Sequence, residues 1–143
     1  YCVGENMRKI GLDIGSVRIG VATSDSLGII ASAHSVYTRK NLTADAKYMA
    51  DLAQKLEADG LVLGLPVKMD GSEGQSVQMV REFASELKKY TSLPSYYQDE
   101  RLTTVSAERI LLEADMRRKD RKNVIDRIAA TIILQTFLDK PKK

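Results

Sequence analysis

Acidic residues stand at three places in the chain where a lone carboxylate is costly. Asp13 lies near the end of an apolar strand, Glu100 follows Asp99 at the end of another, and Asp126 lies on an apolar helical stripe. Charged groups are rarely buried without a partner, and converging carboxylates need a cation to offset their repulsion. The set Asp13, Glu100 and Asp126 therefore predicts a divalent-metal site that activates water against a phosphodiester.

Each of these acids also has a structural interpretation. Asp13 can organise a hairpin turn, and Asp126 can pair with a buried arginine. Neighbouring residues of a strand face opposite sides of the sheet, so one of Asp99 and Glu100 is expected to join the cluster. Spacing alone does not choose between these two residues.

The first elements that would position these acids are strands. Alternating apolar residues predict strands over 9–14 and 18–23, joined by a tight turn at Gly15, which tolerates a positive φ. A third strand is expected over 29–37. Because the connections are short, these three strands must be antiparallel.

The pattern then alternates between helices and strands. Thr43 is expected to cap a helix over 44–58, and the continuous apolar run 60–65 predicts a strand covered on both faces. Further along we expect a helix over 75–90, a strand over 95–98, a helix from 103 or 104 to 116, a basic turn over 117–122 and a last helix over 123–138.

This order predicts an α/β fold with a mixed five-stranded sheet, three antiparallel strands followed by two parallel ones, and helices on both faces. Sites in such sheets form beyond the carboxyl ends of the parallel strands, where Asp13 and Glu100 would converge. One domain is expected over 7–139, followed by a basic tail over 140–143. Residues 1–6 precede Met7 and are expected to be a cloning remnant or an alternative start.

Composition narrows the chemistry. The 143 residues are 43% hydrophobic and 29% charged, with no apolar run near the roughly 20 residues of a membrane span and no signal-peptide pattern, so a cytoplasmic protein is expected. One cysteine and one histidine exclude an internal disulfide and a His/Cys zinc site. A bound metal would need carboxylate ligands, which favour Mg²⁺ or Mn²⁺.

Positive charge is concentrated at the end of the chain. From residue 117 onwards the chain has nine Lys or Arg and three Asp, a net charge of about +6. Because the whole chain has a net charge of +3, the part before residue 117 has a net charge of about −3. This asymmetry predicts a polyanionic partner, bound by Arg117, Arg118, Lys119, Arg121 and Lys122. The structural alternative is a solvated helix face with a basic tail.

Four motifs together resemble the YqgF/RuvX family over nearly the whole chain, from Met7 to about Leu138. They are Gly-Leu-Asp-Ile-Gly-Ser-Val-Arg-Ile-Gly at 11–20, Leu-Gly-Leu-Pro at 63–66, Asp-Glu-Arg-Leu-Thr-Thr at 99–104 and Ile-Asp-Arg-Ile-Ala-Ala at 125–130. The resemblance implies an RNase H-like fold related to Holliday-junction resolvases. It also implies a divalent-metal nuclease that matures the 5′ end of precursor 16S ribosomal RNA.

By this resemblance Asp13 is the carboxylate of the first strand, Glu100 that of the fifth strand end and Asp126 that of the last helix. It is the resemblance that favours Glu100 over Asp99. Related resolvases carry a second acid three residues from the one on the last helix. Asn123 and Ala129 occupy those places here, which leaves one or two bound metals open.

Further residues near the expected rim are candidates for nucleic-acid binding. Gly15 and Gly20 would leave room for a nucleic-acid backbone. Arg18 would contact substrate or form a strand-edge ion pair, Arg101 would reach a phosphate or a neighbouring acid, and Lys68 lies on a loop that would overhang the rim.

Other function classes fit part of the pattern. An ATP-binding domain of the actin and sugar-kinase type also opens with a Leu-Asp-x-Gly hairpin, but that fold needs two such domains around the nucleotide. A non-catalytic nucleic-acid-binding module would not need converging acids. Between nucleases, a junction resolvase favours a homodimer because it makes two symmetric cuts, whereas trimming of an RNA end is open to a monomer.

Overall fold

Three stretches of the chain are described by the computed structural model: residues 7–66, 74–99 and 118–139, with only the helical backbone described over 118–127. The elements are β1 (Lys9–Ile14), β2 (Arg18–Ser24), β3 (Ala31–Thr38), α1 (Leu42–Lys55), β4 (Gly60–Leu65), α2 (Gln75–Leu87), β5 (Ser95–Asp99) and α3 (Arg118–Leu138). The helix expected over 103–116 lies outside these stretches. Within them, no helix combines the length and apolar character that a membrane crossing requires.

The five strands form one mixed sheet in the order β3-β2-β1-β4-β5. The pairs β1/β2 and β2/β3 are antiparallel, as the short turns between them require. The pairs β1/β4 and β4/β5 are parallel; α1 leads into β4, and α2 connects β4 to β5. The predicted sheet of three antiparallel strands followed by two parallel ones is confirmed.

Helices cover both faces of the sheet, which is also as predicted. On one face Ile10, Leu12 and the alternate residues of β2 and β4 form a large apolar cluster with α1 and α2. On the other face Ala22 and Val62 pack against α3 in a smaller cluster. All six residues of β4 are buried because this strand is covered from both sides.

Small residues allow α3 to lie close to the sheet. A Cβ at Gly11 of β1 would lie 2.6 Å from Leu134 Cβ and 3.1 Å from the carbonyl oxygen of Ala130. Real Cβ atoms essentially never approach another carbon as closely as 2.6 Å, and 3.1 Å is tighter than most of their contacts. Glycine at position 11 is therefore what permits α3 to pack at this distance.

Several expected element ends differ from the structure. Helix α1 begins at Leu42, because Asn41 rather than Thr43 is its cap: the Asn41 side chain accepts a hydrogen bond of 2.8 Å from the backbone N–H of Ala44. Strand β3 begins at Ala31 rather than 29, because the preceding N–H groups of Ile29 and Ile30 donate to the Asp25 carboxylate instead of a ladder.

The remaining ends are shifted by one to five residues. Helix α1 ends at Lys55 rather than 58, and α2 ends at Leu87 rather than 90. Strands β2, β3 and β5 each extend one residue further than expected, to Ser24, Thr38 and Asp99. The last helix begins at Arg118 rather than 123, so the basic turn expected over 117–122 is wrong for residues 118–122, which are helical.

A buried ion pair holds the β1–β2 turn in place. Asp45 of α1 is fully buried and accepts hydrogen bonds from Tyr37 Oη at 2.9 Å, Arg39 Nε at 2.8 Å and the Lys40 backbone N–H at 2.9 Å. Arg39 Nη1 also donates to the carbonyl oxygen of Gly15 at 3.0 Å. The pair thus connects α1, the end of β3 and the turn that follows Asp13.

The environment of Asp45 shifts the ionisation of two groups. Burial raises the pKa of the Asp45 carboxyl, but the hydrogen bonds from Lys40, Arg39 and Tyr37 outweigh burial and hold this pKa below its ordinary value. Burial and donation to Asp45 raise the pKa of Tyr37 to about 12. Asp45 is therefore charged, and Tyr37 is neutral, across the physiological range.

Adding one methyl group at position 11 is expected to separate α3 from the sheet. Gly11→Ala should lower the free energy of unfolding by about 1–3 kcal/mol, the usual cost of overpacking a core. The measurement is urea denaturation, with Ala33→Val as a control that enlarges an exposed strand residue. Equal unfolding midpoints for Gly11→Ala and the wild type would contradict the close packing.

Asp45→Asn is expected to cost about 3 kcal/mol or more, because it leaves the largely buried Arg39 cation unpaired. The stability that ionised Asp45 contributes is fully present above pH about 4 and is lost as pH falls below that value, because its folded-state pKa is depressed. Urea denaturation from pH 7 down to pH 2 measures this difference. The exposed Asp51→Asn on the same helix is the control.

The gap in stability between wild type and Asp45→Asn should therefore narrow on acidification. A gap that stays constant down to pH 2 would show that ionised Asp45 does not carry this stability.

Candidate active site

Asp13 lies on the face of the sheet that α3 covers. Gly11 faces Leu134 of α3, whereas Leu12 faces the cluster with α1 and α2. Because side chains alternate along a strand, Asp13 points to the same side as Gly11. Its side chain is half-buried and has an interaction partner within the protein.

Glycines flank Asp13 on both neighbouring strands. Asp13 is paired with Gly20 of β2. On the other side Leu12 pairs with Leu63, so the next residue along, Asp13, is level with Gly64 of β4. Neither neighbouring position contributes a side chain beside the Asp13 carboxylate. The next residue across the sheet from Gly64 is Gln98 of β5. We call these four cross-strand neighbours the Asp13 row: Gly20, Asp13, Gly64 and Gln98.

Gln98 completes this row on β5 and was not identified from the sequence. It pairs with Gly64 and is 5% exposed. Its Nε2 donates to the carbonyl oxygen of Asp99 at 3.0 Å. Its Oε1 is buried, and no hydrogen-bond donor contacts this oxygen among the residues that the structure describes.

Ring contacts establish which side each residue of β5 faces. The Tyr96 ring packs on Phe137 of α3, with ring centroids 5.1 Å apart. The Arg81 guanidinium of α2 lies 5.3 Å from the centroid of the Tyr97 ring. Even-numbered positions of β5 therefore face α3, and odd-numbered positions face α2.

This alternation distinguishes the two acids at the end of β5. Asp99 pairs with Leu65 and lies on the α2 side, opposite to Asp13. Position 100 follows directly and would return to the α3 side if the strand continued for one more residue. Glu100 itself lies outside the described residues, so its predicted role stays a prediction.

Helix α3 runs antiparallel to β1, with its C-terminal end beside the start of that strand. Near this end Gln135 Oε1 accepts a hydrogen bond of 2.8 Å from the Ala31 N–H. Ala31 pairs with Ser24, whose Oγ accepts from the backbone N–H of Lys9 at the beginning of β1. The N-terminal part of α3 is therefore directed towards the end of β1 that carries Asp13.

Helical geometry places position 126 near the level of Asp13. Ala130 lies against Gly11, and four residues of helix rise about 6 Å while two residues of strand rise about 6.6 Å. One turn before Ala130 on α3 thus corresponds to two residues beyond Gly11 on β1. The backbone of Asp126 is described and its side chain is not, so its predicted role as a ligand stays a prediction.

The β1–β2 turn explains one of the predicted glycines. Gly15 N–H donates to the carbonyl oxygen of Arg18 at 2.9 Å. A Cβ on Gly15 would lie 2.7 Å from that oxygen, so the turn itself requires glycine. The left-handed backbone considered for Gly15 is not observed: among the described glycines it is Gly28 that has a positive φ, of 70°.

The basic residues predicted to bind nucleic acid lie in three parts of the chain. Arg118, Lys119, Arg121 and Lys122 lie on the first turns of α3, up to about 12 Å beyond Asp126 along the helix. Arg18 is half-buried at the start of β2 and already has a partner within the protein. Lys68, Arg101 and Arg117 lie outside the described residues.

The described part of the site suits a hard divalent cation. It offers the Asp13 carboxylate, the unpaired amide oxygen of Gln98 and two flanking glycines, and oxygen donors are what Mg²⁺ and Mn²⁺ prefer. Among the described side chains no three His, Cys, Asp or Glu lie close enough together to hold a metal. Of the three predicted acidic ligands, only Asp13 has a described side chain.

Comparison with known sequences identifies close relatives along nearly the whole chain. A family model described as "RuvX: Holliday junction resolvase" matches residues 7–140. A Syntrophomonas wolfei protein named "Putative pre-16S rRNA nuclease" is 47% identical over 133 residues, which are 93% of this chain and 94% of that protein. A Paracoccus denitrificans protein of the same name is 52% identical over 130 residues, which are 91% of this chain and 82% of that protein.

Comparison with solved structures supports the fold. The structure of Thermus thermophilus RuvC with a Holliday junction superposes with a TM-score of 0.56 at 10% identity, covering 93% of this chain and 96% of that one. Fowlpox virus resolvase with its junction DNA gives 0.53 at 8% identity, covering 94% and 100%. The predicted RNase H-like fold is confirmed, and the match of the family model together with these relatives shows that the chain belongs to the RuvX family.

Proposed function

We propose that this protein is a divalent-metal-dependent nuclease that hydrolyses phosphodiester bonds in structured nucleic acid and matures the 5′ end of precursor 16S ribosomal RNA. The observation that carries the proposal is the setting of Asp13. Its carboxylate lies between two glycines on the α3 side of the sheet. The names of the relatives, which are 44–52% identical to this chain, support ribosomal RNA as the substrate.

In this proposal Asp13, Glu100 and Asp126 hold the ion from three elements. Asp13 belongs to β1, Glu100 follows β5 and Asp126 lies on α3. When bound, the ion supplies activation of the attacking water and stabilisation of the leaving oxygen. Asp13 is oriented by the rigid hairpin, whose turn carbonyl at Gly15 is held by Arg39.

Two glycines of the Asp13 row have a steric role in the proposal. Gly20 and Gly64 are buried and carry no Cβ, so neither adjacent strand places a side chain beside the Asp13 carboxylate. Gly15, by contrast, is explained by the turn. Of the glycines singled out in the hairpin, it is Gly20 that we assign to substrate access.

The basic turns of α3 hold the substrate next to the acidic site in this proposal. The predicted phosphate contacts also include Lys68, Arg101, Arg117 and, beside the β1–β2 turn, Arg18. Phosphate contacts of this kind position a nucleic acid without reading its sequence. The acids then act on the phosphodiester that the basic helix end presents.

A second candidate function is resolution of Holliday junctions. The description of the matching family model favours it, and it shares the proposed chemistry. Cleavage assays on precursor 16S ribosomal RNA and on a four-way DNA junction distinguish the two substrates. A homodimer in solution with paired symmetric cuts would favour the junction, whereas trimming of the RNA end by a monomer would favour precursor processing.

Removal of the Asp13 carboxylate is expected to abolish cleavage. Asp13→Asn and Glu100→Gln should each reduce kcat about a hundredfold or more, because metal-assisted hydrolysis is worth several kcal/mol and each 1.4 kcal/mol is a factor of ten. Cleavage of precursor RNA is measured with Mg²⁺, with Mn²⁺ and with EDTA, which should stop the reaction. The matched control is Asp99→Asn. Asp99 precedes Glu100 in the sequence but lies on the α2 side of the sheet, opposite to Asp13.

Cleavage by Asp13→Asn at the wild-type rate, or full activity in EDTA, would contradict the metal-nuclease mechanism. Binding of the RNA without cleavage by the wild type in any metal would instead favour a non-catalytic module.

Charge removal at the N-terminal end of α3 is expected to weaken binding in a salt-dependent way. For the double variant Arg121→Ala/Lys122→Ala, the slope of log affinity against log salt should become less negative by about 0.7–0.9 for each phosphate that the variant no longer neutralises. Filter binding of duplex or junction DNA and of RNA between 50 and 300 mM KCl measures this slope. The control is Lys55→Ala/Lys88→Ala. Both lysines are exposed and lie at the C-terminal ends of α1 and α2, which lead into the starts of β4 and β5, away from the strand end that carries Asp13. An unchanged slope in the α3 variant would contradict this role.

A further inference from the structure

We propose that Gln98 is a positioning residue for the divalent ion: its amide oxygen accepts a hydrogen bond from the hydration shell of the ion that Asp13 holds. This inference rests on the proposed function and adds a residue that is not among the three acids. It gives a role to a buried polar group that the rest of the fold leaves unexplained.

The Gln98 side chain makes one hydrogen bond and leaves one polar atom unpaired. Nε2 donates to the carbonyl oxygen of Asp99 at 3.0 Å, and because a carbonyl only accepts, this contact determines which end of the amide carries the nitrogen. Oε1 is then the unpaired atom, buried and without a donor among the described residues. An unsatisfied buried acceptor costs about 1–3 kcal/mol, which is a large cost for a domain to retain without a use.

Gln98 lies in the same row of the sheet as Asp13. Gln98 pairs with Gly64, and Gly64 is level with Asp13. All three lie on the α3 side of the sheet, so Gln98 and Asp13 are neighbours across a position that has no side chain. With strands about 4.8 Å apart, their Cα atoms are about 9.6 Å apart.

Gly64 places no side chain between Asp13 and Gln98. A hydrated ion held by Asp13 would therefore have Gln98 as its neighbour across Gly64. Mg²⁺ characteristically keeps several of its waters when protein carboxylates bind it. Those waters are hydrogen-bond donors, and the unpaired Oε1 of Gln98 is an acceptor on the same side of the sheet.

The same strand provides a comparison. Ser95 Oγ is also buried without a partner among the described residues, but Ser95 lies three positions earlier, on the α2 side and at the opposite end of β5. An unpaired polar atom on β5 is thus not by itself a sign of the site. What distinguishes Gln98 is its place in the Asp13 row.

The test measures metal binding without nucleic acid. Free Mn²⁺ is followed by electron paramagnetic resonance during titration of the full chain, comparing wild type with Gln98→Leu, Gln98→Glu and Ser95→Ala. Gln98→Leu keeps the side-chain volume but has no acceptor, and its affinity for Mn²⁺ should fall about tenfold or more, as for other outer contacts of metal sites. Gln98→Glu keeps an acceptor oxygen and should bind at least as tightly as wild type. Ser95→Ala should bind like wild type.

Thermal unfolding without metal separates this role from a structural one. Because Gln98→Leu removes an unsatisfied buried group, its Tm without metal should equal or exceed that of the wild type, while its stabilisation by Mn²⁺ is reduced. Mn²⁺ affinity of Gln98→Leu equal to that of wild type would overturn the inference, and so would an equal loss of affinity in Ser95→Ala.

Failure of the proposed function gives a different result. If wild type and Asp13→Asn bind Mn²⁺ equally weakly, the metal site itself is absent and the role of Gln98 is overturned with it. If Asp13→Asn loses binding while Gln98→Leu retains it, only the inference about Gln98 is overturned.

Discussion

The contact between Gly11 and α3 is the constraint on which the candidate site depends. A side chain at position 11 would meet Leu134 Cβ at 2.6 Å, so the helix can lie at this distance only over glycine. Close packing fixes both the height of α3 above the sheet and its register along β1. That register brings the backbone of Asp126, one turn earlier on the helix, to the level of Asp13. Packing in the core thus sets the geometry of the chemistry at the rim.

In the proposed site, packing brings the predicted acidic residues close together, whereas electrostatic repulsion between their carboxylates opposes this. Bringing Asp13, Glu100 and Asp126 together would be unfavourable for an empty cluster, since like charges a few ångströms apart raise one another's free energy. The β1–β2 hairpin supplies rigidity against this repulsion through the Arg39 bridge to Asp45 and Gly15. The two flanking glycines place no side chain beside Asp13, and in the proposed function the basic end of α3 would offer compensating charge to an anionic substrate.

Much of the fold could be predicted because its signals are periodic. Strands Lys9–Ile14 and Gly60–Leu65 were predicted with the observed bounds, since Gly15 follows the first apolar pattern, and Gly60 and Pro66 limit the second at its two ends. Helix starts were less predictable. Asn41 and Thr43 are both good caps, and only the tertiary position of the chain selects the first. The charged residues 118–122 are compatible with either a turn or a helix, and no local signal decides.

Less of the candidate site could be predicted from the sequence. The motif residues identified Asp13, but the face of β5 on which Asp99 lies depends on the contacts of Tyr96 with α3 and of Tyr97 with α2. These contacts are long-range, so spacing could not supply them. Gln98 has no motif of its own. Its only sequence signal is its place two residues before Glu100, on the same side of an extended strand.

Two buried polar residues show how structural and functional roles can be separated. Asp45 is fully buried, and three hydrogen bonds satisfy its carboxylate, so its charge is accounted for within the fold. Gln98 is almost as buried, but one of its two amide atoms is satisfied and the other is not. Folding gains nothing from an unpaired acceptor. A cost that packing does not explain, located two strands from Asp13, is better understood as a contact reserved for something that binds there.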